Sequence, residues 1–254
     1  MNAENIMKVF SDTAYIRVGG RPEEKKAAEY LRQKVAEFGL EAALEPFDVP
    51  LGDIEEAMLL VDGVSIPCKG YMCAGSSTVE APFYYLRTND AWSLRQCKGK
   101  IIPGVNINVK DAVSLIEKGV KSAKIVLKQK EYMGTSQNVV LDMPGEVDEY
   151  IVFTAHYDST PLSQGAYDNM SGSIGLLGIA EHFAKNPHRY GLRFVWCGCE
   201  ERGLLGSKAY CTAHEEGLSK IILNINLDMI GTYMGKFIAC VSAEEKLSHY
   251  ISYM

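Results

Sequence analysis

Three apolar runs in the second half of the chain constrain its fold most strongly: YIVFTA (150–155), LRFVWCGC (192–199) and IILNINL (221–227). Their nearly unbroken hydrophobicity is typical of strands that are buried on both faces. A helix with apolar residues at helical spacing is predicted between the first two runs, over 171–184. This alternation of strand and helix predicts an α/β fold with a mostly parallel core sheet flanked by helices.

The first 49 residues contain one clear helix and one extended segment. Pro22 suits the first turn of a helix, and the next two residues, Glu23 and Glu24, complement its positive end. Gly39 is expected to end this helix, because glycine readily adopts the positive φ of a helix terminus. The stretch over 41–49 is predicted to be extended.

Residues 50–130 have a different character, with short apolar runs such as APFYYLRT and GKIIPG broken by glycine and charge. They predict brief strands with tight turns. A helix over 110–118 and a strand over 123–128 complete this segment. We therefore predict three parts: an N-terminal piece of the main domain (1–49), a small mixed α/β accessory domain (50–130) and the main core (131–254).

The charge and the apolar pattern exclude several classes of protein. Among 254 residues, 26 are basic and 32 are acidic, so a general nucleic-acid binder is not expected. No apolar run is long enough to span a membrane, and the N-terminus lacks the apolar segment of a secretory signal. The seven cysteines are interpreted as free thiols of a reducing compartment. The sequence therefore predicts a cytoplasmic protein.

Groups that bind metals or protons follow the three apolar runs. An imidazole and five carboxylates stand after these runs or in the loop behind the first: His156, Asp158, Asp168, Glu200, Glu201 and Asp228. In an open α/β sheet, ligands bind at the carboxyl ends of the strands. Gathered carboxylates repel one another unless a cation neutralises them, and mixed nitrogen and oxygen ligands suit zinc better than calcium. The pattern predicts a metal site.

Each of these motifs also has an ordinary structural explanation. His156 and Asp158 could form a simple hydrogen-bonded pair, and adjacent glutamates often begin a solvated helix. Asp228 could be an N-cap, and GAYDN is a common turn composition. The metal interpretation depends on the occurrence of all four motifs at strand ends. The histidines at 182, 188, 214 and 249 have no acidic partner at a strand end and are interpreted as ordinary surface or core residues.

Four motifs together resemble those of the M28 family of dinuclear zinc aminopeptidases: HYDS (156–159), GAYDNMSG (165–172), EERGLLGS (200–207) and NINLDMIG (224–231). The accessory segment is similar to a protease-associated domain, chiefly in GKIIPG and DAVSLIEKGVKSAKIVL. The resemblance implies a zinc-exopeptidase fold. It also implies hydrolysis of peptides that have a free N-terminus, whereas the charge and the apolar pattern predict no nucleic-acid or membrane partner.

The resemblance further implies a set of metal ligands. One zinc ion would be held by His156, Asp168 and Asp228. Asp168 would bridge to a second zinc ion, which Glu201 would also bind. Members of the family tend to have a cis peptide bond after the bridging aspartate, here between Asp168 and Asn169.

Two further acidic residues would act without binding metal. Asp158 would orient His156 and raise the basicity of its ring. Glu200 would be the general base, which takes a proton from the attacking water and delivers it to the leaving amine.

The family's second zinc ion also takes a histidine that lies beyond the last motif. Here His249 is the histidine in that region, and its setting, KLSHYISYM, is typical of an amphipathic helix rather than of the ligand loop. We therefore expect one complete half-site. The chain would be a fragment of a longer protein, a subunit completed by its assembly, or a degenerate copy.

Two other functions stay open at this point. A non-catalytic binding module would keep the scaffold and bind no metal. A carboxypeptidase or deacylase of the dinuclear M20 type would share the ligand chemistry, although the accessory unit here precedes HYDS instead of following the glutamates.

Overall fold

The computed structural model describes residues 1–82, 103–233 and 238–242. The α-helices in this part of the chain are α1 (Ala3–Asp12), α2 (Pro22–Ala36), α3 (Val109–Glu117), α4 (Ser171–Phe183) and α5 (Leu205–Ala213). A π-helical turn (Ala166–Met170) and a 3₁₀ helix (Glu215–Lys220) accompany them. The strands are β1 (Ala43–Val61), β2 (Val64–Ile66), β3 (Cys68–Gly70), β4 (Ser77–Pro82), β5 (Val105–Ile107), β6 (Ser122–Met143), β7 (Val147–His156), β8 (Tyr190–Cys197) and β9 (Ile221–Asn226).

Seven of these strands form one mixed sheet in the order β2-β1-β6-β8-β7-β9, with β4 paired to β6. The predicted α/β class is confirmed. Parallel pairing joins β7 to β8 and to β9, which are the three apolar runs of the sequence. The other pairs of this sheet are antiparallel. Strands β3 and β5 form a separate two-stranded sheet.

Helices cover both faces of the parallel core. On one face, α2 and α4 contribute Leu31 and Leu177 to a buried cluster that includes Phe194 and Trp196 of β8. On the other face, Tyr210 of α5 packs on a second cluster of strand residues. The core therefore has three layers, and it holds the ends of β7, β8 and β9 side by side.

The accessory segment contains the expected brief strands β2, β3, β4 and β5, but two long strands enclose them. β1 and β6 pair continuously from Ala43↔Val140 to Leu60↔Lys124, with one irregularity between Ile54 and Glu56. A tight turn at Asp62 and Gly63, both with positive φ, joins β1 to β2 as predicted. The long pairing of β1 with β6 was not predicted, and glycine within these strands makes room for side chains. A Cβ at Gly134 would lie 2.3 Å from Leu51 Cδ1.

Helix α3 packs on the far ends of β1 and β6, in a cluster around Leu115. The expected boundaries at 49/50 and 130/131 fall inside β1 and β6. The division into an accessory and a main domain stays a prediction. Most of the runs APFYYLRT and GKIIPG lies outside the described residues.

The predicted helices α2, α3 and α4 occur within two residues of the expected bounds. Helices α1 and α5 were not predicted. The six cysteines among the described residues are free. Within the same residues, every helix is too short or too polar to cross a bilayer.

Candidate metal centre

The three parallel strands bring their carboxyl ends to one edge of the sheet. His156, the last residue of β7, pairs with Cys197, the last residue of β8. On the other side of β7, Thr154 pairs with Asn226, and the Leu227 amide donates to the Thr154 carbonyl at 2.8 Å. The residues that follow β8 and β9 are thereby placed beside His156.

The side chains at this edge converge on His156. Its Nε2 lies 3.0 Å from Asp168 Oδ1, 3.7 Å from Asp228 Oδ1 and 3.7 Å from Glu200 Oε2. One ligand atom each from His156, Asp168 and Asp228 lies within 4.8 Å of the others. Glu200 and Glu201 are outside this three-residue cluster, which is defined over the described residues only.

Asp158 is fully buried and accepts three hydrogen bonds. With the proton on Nδ1, His156 donates to Asp158 Oδ1 at 3.2 Å, which leaves the Nε2 lone pair facing the cluster. The backbone amides of Glu200 and Glu201 donate to Oδ1 and Oδ2, at 3.0 and 3.2 Å. Asp158 therefore fixes the imidazole and the start of the EERG segment together. The second contact was not foreseen from the sequence.

Several partly buried carboxyl groups lie close together at this centre. Burial first, and then the Asp168 carboxylate, raise the pKa of Glu201 to about 8. Burial also raises the pKa values of Glu200 and Asp228. Burial lowers the pKa of His156, but hydrogen bonds to Asp158 and Asp168 outweigh this effect and raise it well above its usual value. The environment therefore favours positive charge.

The donor set fits a zinc ion. An imidazole nitrogen and two carboxylate oxygens are common zinc ligands, and the second nitrogen of the imidazole is held by a carboxylate, as is usual for metal-binding histidines. His156 is buried, whereas the Asp168 and Asp228 side chains are 46% and 43% exposed, so the cluster is open on one side.

Asn169 ties the loop of Asp168 to the loop of Asp228. The peptide bond between Asp168 and Asn169 is cis, as expected from the family resemblance. The Asn169 amide group donates to the Leu227 carbonyl at 3.0 Å, and its oxygen accepts from the Met229 amide at 3.1 Å. These contacts lie on both sides of Asp228. A Cβ at Gly172 would be 2.2 Å from the same Leu227 carbonyl, so glycine permits this close approach.

The side chain of Arg17 holds the loop between His156 and Asp168 by hydrogen bonds to its backbone. Its fully buried guanidinium donates to the carbonyls of Tyr157 at 2.8 Å, Gln164 at 2.6 Å and Gly165 at 3.0 Å. It also donates to two carbonyls of its own segment, those of residues 13 and 15. Sequence reasoning missed Arg17 because its partners are backbone carbonyls, which any residue supplies.

Comparison with known families identifies the part of the chain that carries this centre. Residues 138–253 match peptidase family M28. This range contains the cluster and both glutamates. His249, the one histidine considered as a late ligand, lies outside the described residues.

The chain is similar in sequence to proteins named as aminopeptidases. Aminopeptidase YwaD of Bacillus subtilis is 38% identical over 135 residues, which are 52% of this chain and 29% of that protein. Leucine aminopeptidase 2 of Trichophyton rubrum is 37% identical over 100 residues, which are 39% of this chain and 20% of that protein. The chain is thus partial relative to these curated relatives.

Solved structures extend the similarity beyond the M28 segment. The structure of BSAP, a zinc aminopeptidase from Bacillus subtilis, matches with a TM-score of 0.71 and 27% identity, over 91% of this chain and 70% of that one. An aminopeptidase from Aneurinibacillus sp. strain AM-1 matches with a TM-score of 0.70 over 91% of this chain and 71% of that one. At 22% identity, this second match shows the fold alone.

Proposed function

We propose that this chain is a zinc-dependent aminopeptidase that hydrolyses the first peptide bond of substrates with a free N-terminus. The observation that carries the proposal is the convergence of His156, Asp168 and Asp228 at the ends of parallel strands, with Glu200 beside them. The aminopeptidase names of the sequence relatives and the zinc aminopeptidase BSAP support it.

In this proposal, His156, Asp168 and Asp228 would hold one zinc ion. Asp168 and Glu201 would contribute to holding a second. Bound zinc would acidify a water molecule and polarise the peptide carbonyl. A neutral Nε2 is required at the first position, and the hydrogen bond between Nδ1 and Asp158 selects that tautomer.

Glu200 is the proposed general base. Its Oε2 faces the cluster, 3.7 Å from His156 Nε2, and its backbone is fixed by Asp158. From this position the carboxylate accepts a proton from the attacking water and passes it to the departing amine, which needs it to leave. Asp158 remains a positioning residue in this scheme, because its oxygens are already occupied by three donors.

The test uses the full chain, its zinc content and a panel of aminoacyl 4-nitroanilides. Glu200→Gln is expected to bind zinc normally and to lose about a hundredfold to ten-thousandfold in kcat, which is the usual contribution of a general base. Glu216→Gln, on an exposed residue in a short 3₁₀ segment, is the matched control and should not change kcat.

Two outcomes would overturn the proposal in favour of the alternatives. If the chain binds no zinc under excess metal and cleaves nothing, a binding module is favoured. If it cleaves N-blocked peptides in preference to peptides with a free amine, an M20-like carboxypeptidase or deacylase activity is favoured. A zinc-loaded chain whose activity is unaffected by Glu200→Gln would refute the assigned base.

A further inference from the structure

Four consecutive backbone amides after β8 donate to buried side chains. The amides of residues 198, 199, 200 and 201 donate to Asn138 Oδ1 at 3.1 Å, Glu24 Oε1 at 2.9 Å, Asp158 Oδ1 at 3.0 Å and Asp158 Oδ2 at 3.2 Å. This 198–201 segment has left the sheet, so side chains supply the acceptors that a neighbouring strand would otherwise provide. It ends in the two glutamates of the candidate centre.

Glu24 is the most distant of these acceptors in sequence and is completely buried. Its Oε2 also accepts from the Gly20 amide at 2.7 Å, and Ser136 Oγ lies 2.9 Å from both carboxylate oxygens. None of the ion pairs found within the described residues includes Glu24. Glu24 is therefore held by hydrogen bonds alone, and it supplies the acceptor that the buried Cys199 amide requires.

The backbone of the 198–201 segment has an unusual conformation that needs support. Cys199 has a φ of +52°, in the left-handed region that residues with a side chain rarely adopt. A Cβ at Gly198 would lie 2.6 Å from the Gln137 carbonyl and 2.8 Å from Glu24 Oε1. The acceptor Glu24 Oε1 therefore holds the chain at the point where it turns toward Glu200.

We propose that Glu24 is a positioning residue that fixes the 198–201 segment, and with it Glu200 and Glu201, at the metal centre. Asn138 shares this role at the first amide, and Asp158 completes it at the last two. The proposal rests on the proposed function for what the two glutamates do. The positioning itself is a separate physical statement about the backbone.

The test compares Glu24→Met with Glu23→Met in the full chain. Methionine is similar in size to glutamate but accepts no hydrogen bond of comparable strength, so the Cys199 amide loses its partner. Glu23 is the exposed neighbour in the same helical turn and is the matched control. Glu24→Gln, which keeps one acceptor oxygen, is the conservative variant.

Three measurements are expected to change in Glu24→Met. Amide hydrogen exchange of the peptide that contains residues 198–201 becomes about tenfold faster, as expected when a buried amide loses its acceptor. Zinc titration shows about tenfold weaker binding of any zinc equivalent beyond the complete half-site, with the first equivalent unchanged. The kcat for an aminoacyl 4-nitroanilide falls while KM is retained. Glu24→Gln should be intermediate in all three, and Glu23→Met should match the wild type.

The outcomes separate this inference from the proposed function. If both zinc equivalents weaken equally in Glu24→Met, the residue has a general structural role and the inference fails. Unchanged exchange in the 198–201 segment also overturns it. If the wild type binds no zinc, the proposed function fails, while the exchange comparison still decides whether Glu24 holds the segment. If Glu24→Met does not fold, Glu24→Gln takes its place in the same comparisons.

Discussion

Replacement of Asp158 by asparagine perturbs the residue that joins the two halves of the candidate centre. The carboxylate accepts from His156 Nδ1 and from the amides of Glu200 and Glu201. Asparagine has nearly the same shape but only one acceptor oxygen, because its NH₂ group donates. The NH₂ group would have to face a donor, so at least one of the three hydrogen bonds is lost.

The size of the effect follows from these contacts. A hydrogen bond to a charged group contributes about 1.5–3 kcal/mol, and Asp158 is fully buried, so water cannot replace the lost partner. We therefore expect the free energy of unfolding to fall by ~2 kcal/mol. Loss of the carboxylate that orients a metal-binding histidine typically weakens metal affinity 10- to 100-fold, or about 1.4–2.8 kcal/mol.

The assay is a zinc titration together with urea unfolding of the metal-free protein. Asp48→Asn, the same change at an exposed position of β1, is the matched control and should leave both quantities unchanged. If Asp158→Asn bound zinc with wild-type affinity, the orientation of His156 by Asp158 would be refuted. A loss of stability without a loss of affinity would assign Asp158 to the backbone contacts alone.

Three further predictions concern the groups that surround the centre. Arg17→Met removes five donated hydrogen bonds and should lower the free energy of unfolding by at least ~3 kcal/mol, measured by urea denaturation; an unchanged midpoint would contradict this. Gly172→Ala places a Cβ 2.2 Å from the Leu227 carbonyl, so it should lower the free energy of unfolding by ~2 kcal/mol and weaken zinc binding. The control is Gly178→Ala in the same helix, whose Cβ would meet nothing within 4 Å and which should be neutral or stabilising. Burial raises the pKa of Glu24 from 4.5 to about 8, so the folded state binds the extra proton between these values, and this contribution to stability is lost as the pH rises through 8. The free energies of unfolding at pH 5 and pH 9 should therefore differ less in Glu24→Gln than in the wild type. An equal difference would refute the raised pKa of Glu24. The titratable groups that interact with Glu24 are Asp158, Tyr157 and Cys199.

The parallel core was predictable because apolar runs mark its strands in the sequence. β8 and the second half of β7 are largely buried, as predicted. The prediction of burial on both faces was wrong for β9, which ends the described sheet and alternates between half-buried and exposed residues. β7, β8 and β9 are each a nearly continuous apolar run, and each is within three residues of its expected bounds. β1 and β6 were not predicted as long strands, because an exposed face and a few glycines make such strands look like separate short segments. Helix α5 begins after Leu204, in the left-handed conformation and without a side-chain cap, so it has no start signal.

The candidate ligands were predictable for a similar reason. Parallel strands end at one edge, so polar residues that directly follow apolar runs are brought together whatever the rest of the chain does. Asn169, Arg17 and Glu24 could not be assigned their contacts in this way. Their partners are backbone groups up to 175 residues away in the sequence, as in the contact between Glu24 and the Cys199 amide. Local pattern carries no information about such contacts.

Arg17, Glu24 and Asp158 all hold the backbone of loops that carry candidate ligands. The ligand side chains leave the sheet on loops, where no strand fixes the backbone, and their carboxylates repel one another in the absence of a cation. The loops must therefore be held by contacts of their own. Arg17 donates to the carbonyls of residues 164 and 165, which precede Asp168 in the loop. Glu24 and Asp158 accept from the amides of residues 199, 200 and 201. A buried donor thus holds one loop and buried acceptors hold the other, and we infer that this arrangement keeps the acidic side chains together before metal binds.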